Sequence, residues 1–192
     1  MTIHTSPISR LLPLAGAVAA AVLLSACGSM MSSPSKSMYS QDSLPDSIKV
    51  PAGNKVAMET VGVGEITYEC RDKKDAAGQF EWVFVGPDAV LNDRGGKAVG
   101  KYFGPPATWE SSDGSKVTAT QVAVSPASAG NIPLQLVKAN PATGNGAMSG
   151  VTFIQRVATK GGVAPATACD ANSKGKKEIV KYQADYIIYK AM

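Results

Sequence analysis

Short runs of alternating apolar and polar residues dominate the chain from Val50 onward. In EITYEC, residues 65–70, the side chains of Ile66, Tyr68 and Cys70 fall on one face and polar side chains on the other, as in a strand with one buried face. Runs of this type are EITYEC, EWVFVG, VTATQVAV, IPLQLVKA, GVTFIQRVAT and EIVKYQADYIIYK. No window of useful length shows the apolar stripe of a helix.

Turn-forming residues separate these runs. The dipeptide Asp113-Gly114 before VTATQVAV is a strong hairpin signal, and the 19 glycines and 12 prolines of the chain suit many tight turns. We therefore predict a single all-β domain over residues 50–192, an antiparallel β-sandwich or partly closed barrel of about eight to ten strands.

The N-terminal residues predict export. Arg10 precedes an apolar run, Leu11–Leu24, which is shorter than the roughly 20 residues of a membrane-spanning helix and ends in small residues, as a secretory signal peptide does. The segment Leu24-Ser25-Ala26-Cys27 resembles the lipobox of bacterial lipoproteins, in which cleavage precedes the cysteine and its thiol receives a diacylglycerol. We predict a signal peptide over residues 1–26 and lipidation of Cys27. The alternative is an ordinary cleaved signal and a secreted protein.

The predicted anchor implies a compartment and a membrane partner. In proteobacterial lipoproteins, an Asp directly after the lipidated cysteine resembles an inner-membrane retention signal. Gly28 occupies that position here, so we expect an outer-membrane lipoprotein that faces the periplasm. The residues that follow are rich in Ser and Pro and have no apolar period. We interpret residues 27–49 as the lipidated cysteine and a flexible tether.

The residue types available exclude several kinds of chemistry. The only histidine, His4, lies in the predicted signal peptide, so the mature chain lacks the imidazole of Ser-His-Asp and Cys-His sites and of the usual zinc sites. The net charge of +4 is too mild to indicate nucleic-acid binding. The glycine pairs lack the strand–loop–helix context of a phosphate site, and Lys174 and Lys181 occupy ligand positions of a calcium-like loop. We expect no cofactor, no metal and no catalytic residue.

Two cysteines remain after Cys27 is assigned to the lipid. An even pair in an oxidising compartment predicts a disulfide between Cys70 and Cys169. The alternative is two free thiols.

Aromatic residues are concentrated between Gly100 and Ser115. Tyr102 and Trp109 flank Gly104-Pro105-Pro106, and such aromatics either form a platform for a sugar or peptide or plug one end of a β-fold. The candidate ligand-binding residues are Lys101, Tyr102, Trp109, Asp113 and Arg156. As structural roles, we expect Asp113 to cap its own turn and Asp185 to pair with Arg156 or Lys181.

Four segments in order resemble DUF3455, an uncharacterised family of exported bacterial and fungal proteins. These are Pro51-Ala52-Gly53 leading to ITYEC, GPPATWESSDGSKV, GVTFIQRVATKGGVAPATACD and YQADYIIY. The resemblance covers residues 51–189 and implies no established activity and no cofactor. This chain has Lys101 where the family pattern leads us to expect His, which weakens any histidine-dependent chemistry.

These observations favour a non-enzymatic role at the cell envelope. We expect a periplasmic lipoprotein that binds a carbohydrate or protein ligand or supports the envelope. The alternative is an enzyme that acts on envelope polysaccharide through a pair of carboxylates. The sequence does not place any two carboxylates at the separation that glycoside hydrolysis needs.

Overall fold

The computed structural model describes residues 39–192, which form eight antiparallel strands. The strands are β1 (Asn54–Asp72), β2 (Phe80–Asn92), β3 (Ala98–Phe103), β4 (Thr108–Ser111), β5 (Lys116–Ser125), β6 (Leu134–Ala139), β7 (Val151–Gly161) and β8 (Lys177–Ala191). Each strand pairs with the next, and β8 pairs back with β1 to close a barrel. The all-β prediction is confirmed, and the closed barrel is the architecture observed.

The predicted runs correspond to six of these strands, β1, β2, β5, β6, β7 and β8. The hairpin predicted at Asp113-Gly114 is also present and joins β4 to β5. The sequence did not reveal β3 and β4, because they are short and are separated by Gly104, Pro105 and Pro106. These two strands carry the aromatic segment, so their presence places Tyr102 and Trp109 in the sheet.

Inward-facing side chains fill the barrel. On β8, alternate residues Tyr182, Ala184, Tyr186 and Ile188 belong to the inner cluster, as the two-residue period of a strand requires. The other strands and connections contribute Ile66, Tyr68, Ala89, Leu91, Tyr102, Trp109, Val117, Ile132, Val137, Met148, Val151 and Ile154. The barrel therefore has a packed apolar core rather than an open channel.

A second apolar cluster lies on the outer face of β6, β7 and β8. There Ile48 and Val50, which precede β1, pack against Leu136, Val157 and Ile187. We call residues 39–50 the N-terminal strap; it includes a short 3₁₀ helix, Asp46–Ile48. The tether predicted to extend to residue 49 is therefore wrong from residue 39 onward. The apolar residues of the strap pack against apolar residues on the outer face of the barrel. The alternation of a strand with one buried face assigns those outer positions to solvent, so the sequence pattern did not indicate this contact.

The buried amide of Gln155 on β7 fastens this strap to the barrel. Its Nε2 donates to the Ile48 carbonyl oxygen at 2.6 Å and to Gln41 Oε1 at 3.0 Å. Its Oε1 accepts hydrogen bonds from the hydroxyls of Tyr39 and Tyr189, each at 2.8 Å. A buried polar group is costly unless it is hydrogen-bonded, and here both amide atoms are satisfied largely by the strap and the strand beside it. The strap is thus an integral part of the domain.

The predicted signal peptide and Cys27 lie outside the described residues. Within residues 39–192, no helix is long and apolar enough to cross a membrane.

Candidate ligand-binding site

A cavity opens at the end of the barrel that carries the β3–β4 connection. Its volume is roughly 240 Å³, and residues from β2 to β7 line it. Phe84, Pro87 and Pro105 give it apolar walls, while Gln121, Gln135 and Arg156 supply polar groups. Tyr102 and Trp109 also border it. The cavity is therefore amphipathic and sits where small β-barrels hold their ligands.

The aromatic side chains beside the cavity form a stacked cluster. The ring centroid of Tyr102 lies 4.6 Å from that of Trp109 and 4.8 Å from that of Tyr186. Trp109 is 1% exposed, so it packs as the plug interpretation predicts, and the idea of an open stacking platform on Trp109 is wrong. Its buried Nε1 has no hydrogen-bond partner among the described residues, an arrangement that usually costs about 1–3 kcal/mol.

Arg156 enters the cavity from β7. Its Nε and Nη2 both donate to the Pro133 carbonyl oxygen, at 3.1 and 3.0 Å. In the strand register Arg156 lies opposite Tyr186, whereas the neighbouring pair is Val157 and Asp185. Successive residues face opposite sides of a strand, so Arg156 and Asp185 face opposite sides of the barrel wall.

The predicted ion pair of Asp185 with Arg156 or Lys181 is therefore wrong. Asp185 Oδ2 instead accepts a hydrogen bond from Arg94 Nη1 at 2.6 Å, and Lys181 pairs with Glu65. Arg94 also pairs with Glu59 on β1. Among the ion pairs of residues 39–192, Glu59 and Asp185 are thus two carboxylates that share one arginine. This ion-pair network is not part of the cavity.

Buried tyrosine hydroxyls add further donors near Arg156. Burial raises the pKa of Tyr102, Tyr182 and Tyr186. The nearby Arg156 guanidinium lowers each pKa by a smaller amount, so the net shift is upward. These phenols therefore stay protonated at neutral pH. The hydroxyls of Tyr182 and Tyr186 are 3.2 Å apart, so one donates to the other and a proton remains for a further acceptor.

Two of the predicted ligand-binding residues lie elsewhere. Lys101 is adjacent to Tyr102 on β3, so it faces outward and is exposed. Asp113 lies in the β4–β5 turn at the opposite end of the barrel. Of the five candidate residues, Tyr102, Trp109 and Arg156 therefore border one cavity, whereas Lys101 and Asp113 do not. Ligand binding by the first three stays a prediction.

The structure also adds residues that the sequence analysis missed. Phe84 is 52% exposed at the lip of the cavity and meets Tyr68 edge to face, with ring centroids 6.1 Å apart. Gln135 Nε2 donates to Gln121 Oε1 at 2.7 Å across β5 and β6. The alternation within EWVFVG could have placed Phe84 on the face of Trp82, but nothing in the sequence pairs the two glutamines.

Asp113 has the capping role that its Asp-Gly turn predicts. Its Oδ1 accepts hydrogen bonds from the backbone N–H of Ser115 at 2.9 Å and from the Ser115 hydroxyl at 2.6 Å, and its Oδ2 accepts one from the Ala147 N–H at 2.7 Å. The last bond ties the hairpin to the β6–β7 connection. A Cβ at Gly146 would overlap the Asp113 carboxylate, so a larger residue there would displace this carboxylate from its hydrogen bonds.

Asp113 should make stability depend on pH in the acid range. These hydrogen bonds lower the pKa of Asp113 from 3.8 to about 2. Because the folded-state pKa is depressed, the stabilisation is fully present above about pH 4 and is lost as the pH falls toward about 2. The difference in unfolding free energy between wild type and Asp113→Asn should therefore shrink across that range in urea titrations. Glu81→Gln, an exposed change on β2, is the control, and an Asp113→Asn difference independent of pH would contradict the prediction.

The predicted disulfide between Cys70 and Cys169 is present. It joins β1 to the β7–β8 connection, residues 162–176, with the two Cα atoms 5.5 Å apart. Two hydrogen bonds fasten the same connection: Trp82 Nε1 donates to the Thr167 carbonyl oxygen and the Tyr68 hydroxyl donates to that of Gly162, each at 2.8 Å. The connection is thus held firmly at the cavity end of the barrel.

The calcium-like loop is a hydrogen-bonded turn. Asp170 Oδ1 accepts hydrogen bonds from the backbone N–H groups of Asn172 and Ser173 at 2.9 and 3.0 Å. Across residues 39–192 no group of three or more His, Cys, Asp or Glu side chains is placed to hold a metal ion.

Comparison with known proteins gives one family. The family model described as "Protein of unknown function (DUF3455)" matches residues 51–190. This range contains nearly all of the barrel, while the N-terminal strap precedes it. No curated protein and no solved structure matches the chain.

Proposed function

Because the chain belongs to the DUF3455 family, whose description assigns no activity, we propose a function from the geometry: this is an envelope-anchored periplasmic lipoprotein that binds a small amphipathic solute in the cavity of its barrel. The observation that carries the proposal is the convergence of Tyr102, Trp109 and Arg156 on one cavity. The role is binding rather than catalysis.

The lining of the cavity specifies the general shape of such a solute. Phe84, Pro87 and Pro105 offer apolar contact, and Arg156 and the protonated Tyr102 phenol offer hydrogen-bond donors. Pockets for drug-sized ligands usually measure about 300–1,000 Å³, so a cavity of roughly 240 Å³ suits a solute of about one ring. A ligand with one apolar body and one hydrogen-bond acceptor matches both features.

The carboxylate-dependent alternative finds less support. Glycoside hydrolysis needs two carboxyl groups about 5–10 Å apart across the substrate. No Asp or Glu is among the residues that line this cavity. Glu59 and Asp185 both pair with Arg94, and neither of them lines this cavity. The described geometry therefore favours binding over hydrolysis.

Solute binding can be tested with two simple aromatic probes, benzamide and benzoate. Each carries one ring and an acceptor group, and we expect at least one to bind saturably, as followed by ligand-observed NMR. Ala119→Phe places a ring in the cavity and should abolish binding. Ala98→Phe, an exposed position on β3, is the matched control and should bind as wild type does. Failure of both probes to bind wild-type protein would overturn the proposed function.

The anchor has its own test at Cys27. Cys27→Ser removes the thiol that would receive the lipid, so we expect an unprocessed precursor that retains residues 1–26 and carries no acyl chains. Intact-mass measurement of envelope-purified protein reads out both features. Wild-type protein cleaved at another position and lacking acyl chains would contradict the proposed anchoring.

A further inference from the structure

We infer that the solute is an anion, a small apolar monocarboxylic acid whose carboxylate binds Arg156 while its body lies against Phe84 and the adjacent prolines. This inference rests on the proposed function and specifies its ligand class. It follows from the charge of the cavity, the unused donors around it and the exposed aromatic residue at its lip.

Arg156 lacks the counter-charge that the other described arginines have. Arg71 pairs with Glu69, and Arg94 pairs with both Glu59 and Asp185. Among residues 39–192, Arg156 has no carboxylate within 4.0 Å. A half-buried guanidinium beside an apolar interior is unfavourable without a paired charge. An anion in the cavity would supply that charge.

The guanidinium also has donors to spare. Its Nε and Nη2 share the Pro133 carbonyl oxygen, a contact that fixes the side chain. The guanidinium also hydrogen-bonds the Tyr102 phenol, which leaves part of its five N–H groups unused. The planar fork of an arginine matches the two oxygens of a carboxylate. Pro133 thus positions Arg156, and its remaining N–H groups are available for a ligand.

Neighbouring groups favour an acceptor rather than a donor. The Tyr102 phenol lies near enough to Arg156 for the guanidinium to affect its pKa, and burial keeps that phenol protonated. No carboxylate side chain lines the cavity to compete for these donors. Among the residues that line the cavity, Arg156 is thus the one charged side chain, and its positive charge favours an anionic acceptor.

The apolar part of the site argues for an organic acid over an inorganic ion. Phe84 leaves 52% of its surface exposed at the lip, next to Pro87 and Pro105. A free phosphate would leave this surface uncovered, and a neutral sugar would leave Arg156 unpaired. A ligand with a ring or short hydrocarbon chain and one carboxylate would cover the apolar surface of Phe84 and pair with Arg156.

The test compares benzoate with benzamide and acetate at neutral pH. Benzoate and benzamide share a ring and differ in charge, so wild-type protein should bind benzoate at least about tenfold more tightly, as a charge-assisted hydrogen bond requires. Acetate lacks the ring and should bind at least about tenfold more weakly than benzoate, because it buries no ring surface. Arg156→Gln should reduce benzoate affinity to that of benzamide, whose own affinity should change less than about twofold.

Controls separate the site from the fold. Arg71→Gln removes an exposed arginine outside the cavity and should leave all affinities unchanged. Phe84→Ala at the exposed lip should weaken benzoate and benzamide in equal proportion, which keeps the site testable if Arg156→Gln fails to fold. Circular dichroism checks the fold of each variant.

The outcomes distinguish this inference from the proposed function. Equal binding of benzoate and benzamide would overturn the anion inference while the proposed function stands. Binding of neither probe would overturn both. A benzoate preference that survives in Arg156→Gln, or a benzoate affinity that Phe84→Ala does not weaken, would place the anion elsewhere and overturn the inference.

Discussion

Replacing Trp109 with alanine should lower the free energy of unfolding by about 3–5 kcal/mol, the usual cost of truncating a buried tryptophan. Trp109 is 1% exposed, and its ring centroid lies 4.6 Å from that of Tyr102 and 5.8 Å from that of Tyr186. Truncation would therefore remove one member of a packed aromatic cluster inside the barrel. Urea unfolding followed by circular dichroism measures the change.

Phe84→Ala is the matched control for this experiment. Phe84 borders the same cavity but is 52% exposed, so its truncation should cost much less than that of Trp109. Comparable losses for the two variants would contradict the assignment of Trp109 to the core. A near-native stability of Trp109→Ala would contradict it more directly.

Removing the disulfide should cost about 2–5 kcal/mol, which is typical for a native bridge in a small exported domain. The bridge spans a sequence separation of 99 residues and links β1 to the connection before β8. In the chain-entropy model, a cross-link over so long a loop strongly restricts the unfolded chain. The double variant Cys70→Ala/Cys169→Ala should therefore unfold at a markedly lower urea concentration than the oxidised wild type.

A reducing agent provides the internal control. It should destabilise wild-type protein to about the level of the double variant and leave the double variant unchanged. Alkylation of both thiols in native, unreduced protein would show that the bridge is absent.

The long strands were predictable because their residues alternate cleanly. Ile66, Tyr68 and Cys70 are buried in β1 as their spacing indicates, and the hairpin at Asp113-Gly114 forms as its dipeptide predicts. Closure of the barrel was beyond the sequence, because it depends on pairing β1 with β8, whose residues lie more than a hundred positions apart. Local patterns carry no information about so distant a partner.

The candidate site was predictable only in part, for equally physical reasons. Aromatic density indicated Tyr102 and Trp109, and both border the cavity. Lys101 was included as a sequence neighbour of Tyr102, although adjacent strand residues face opposite sides. Asp113 was included for the same reason, although the hairpin places it at the far end of the barrel. Proximity along the chain is thus a poor guide to proximity in a sheet.

The N-terminal strap shows a different limit. Its apolar residues are isolated among Ser, Asp and Pro, and such a composition usually indicates an unpacked segment. They become informative only once Val157 and Ile187 are known to leave an apolar patch on the outer wall. Recognising such a segment from sequence would require knowledge of the surface that it covers.

Closure of the sheet also restricts how another polypeptide could bind. Many recognition domains accept a peptide as an extra strand, which hydrogen-bonds to the free backbone of an edge strand. Here β1 pairs with β2 on one side and with β8 on the other, from Asn54–Ala191 to Glu69–Lys177, so the seam of the barrel offers no edge within residues 39–192. The same pairing protects the seam from the edge-to-edge association to which open sheets are prone. At this seam, a protein partner would have to recognise side chains or loops rather than extend the sheet.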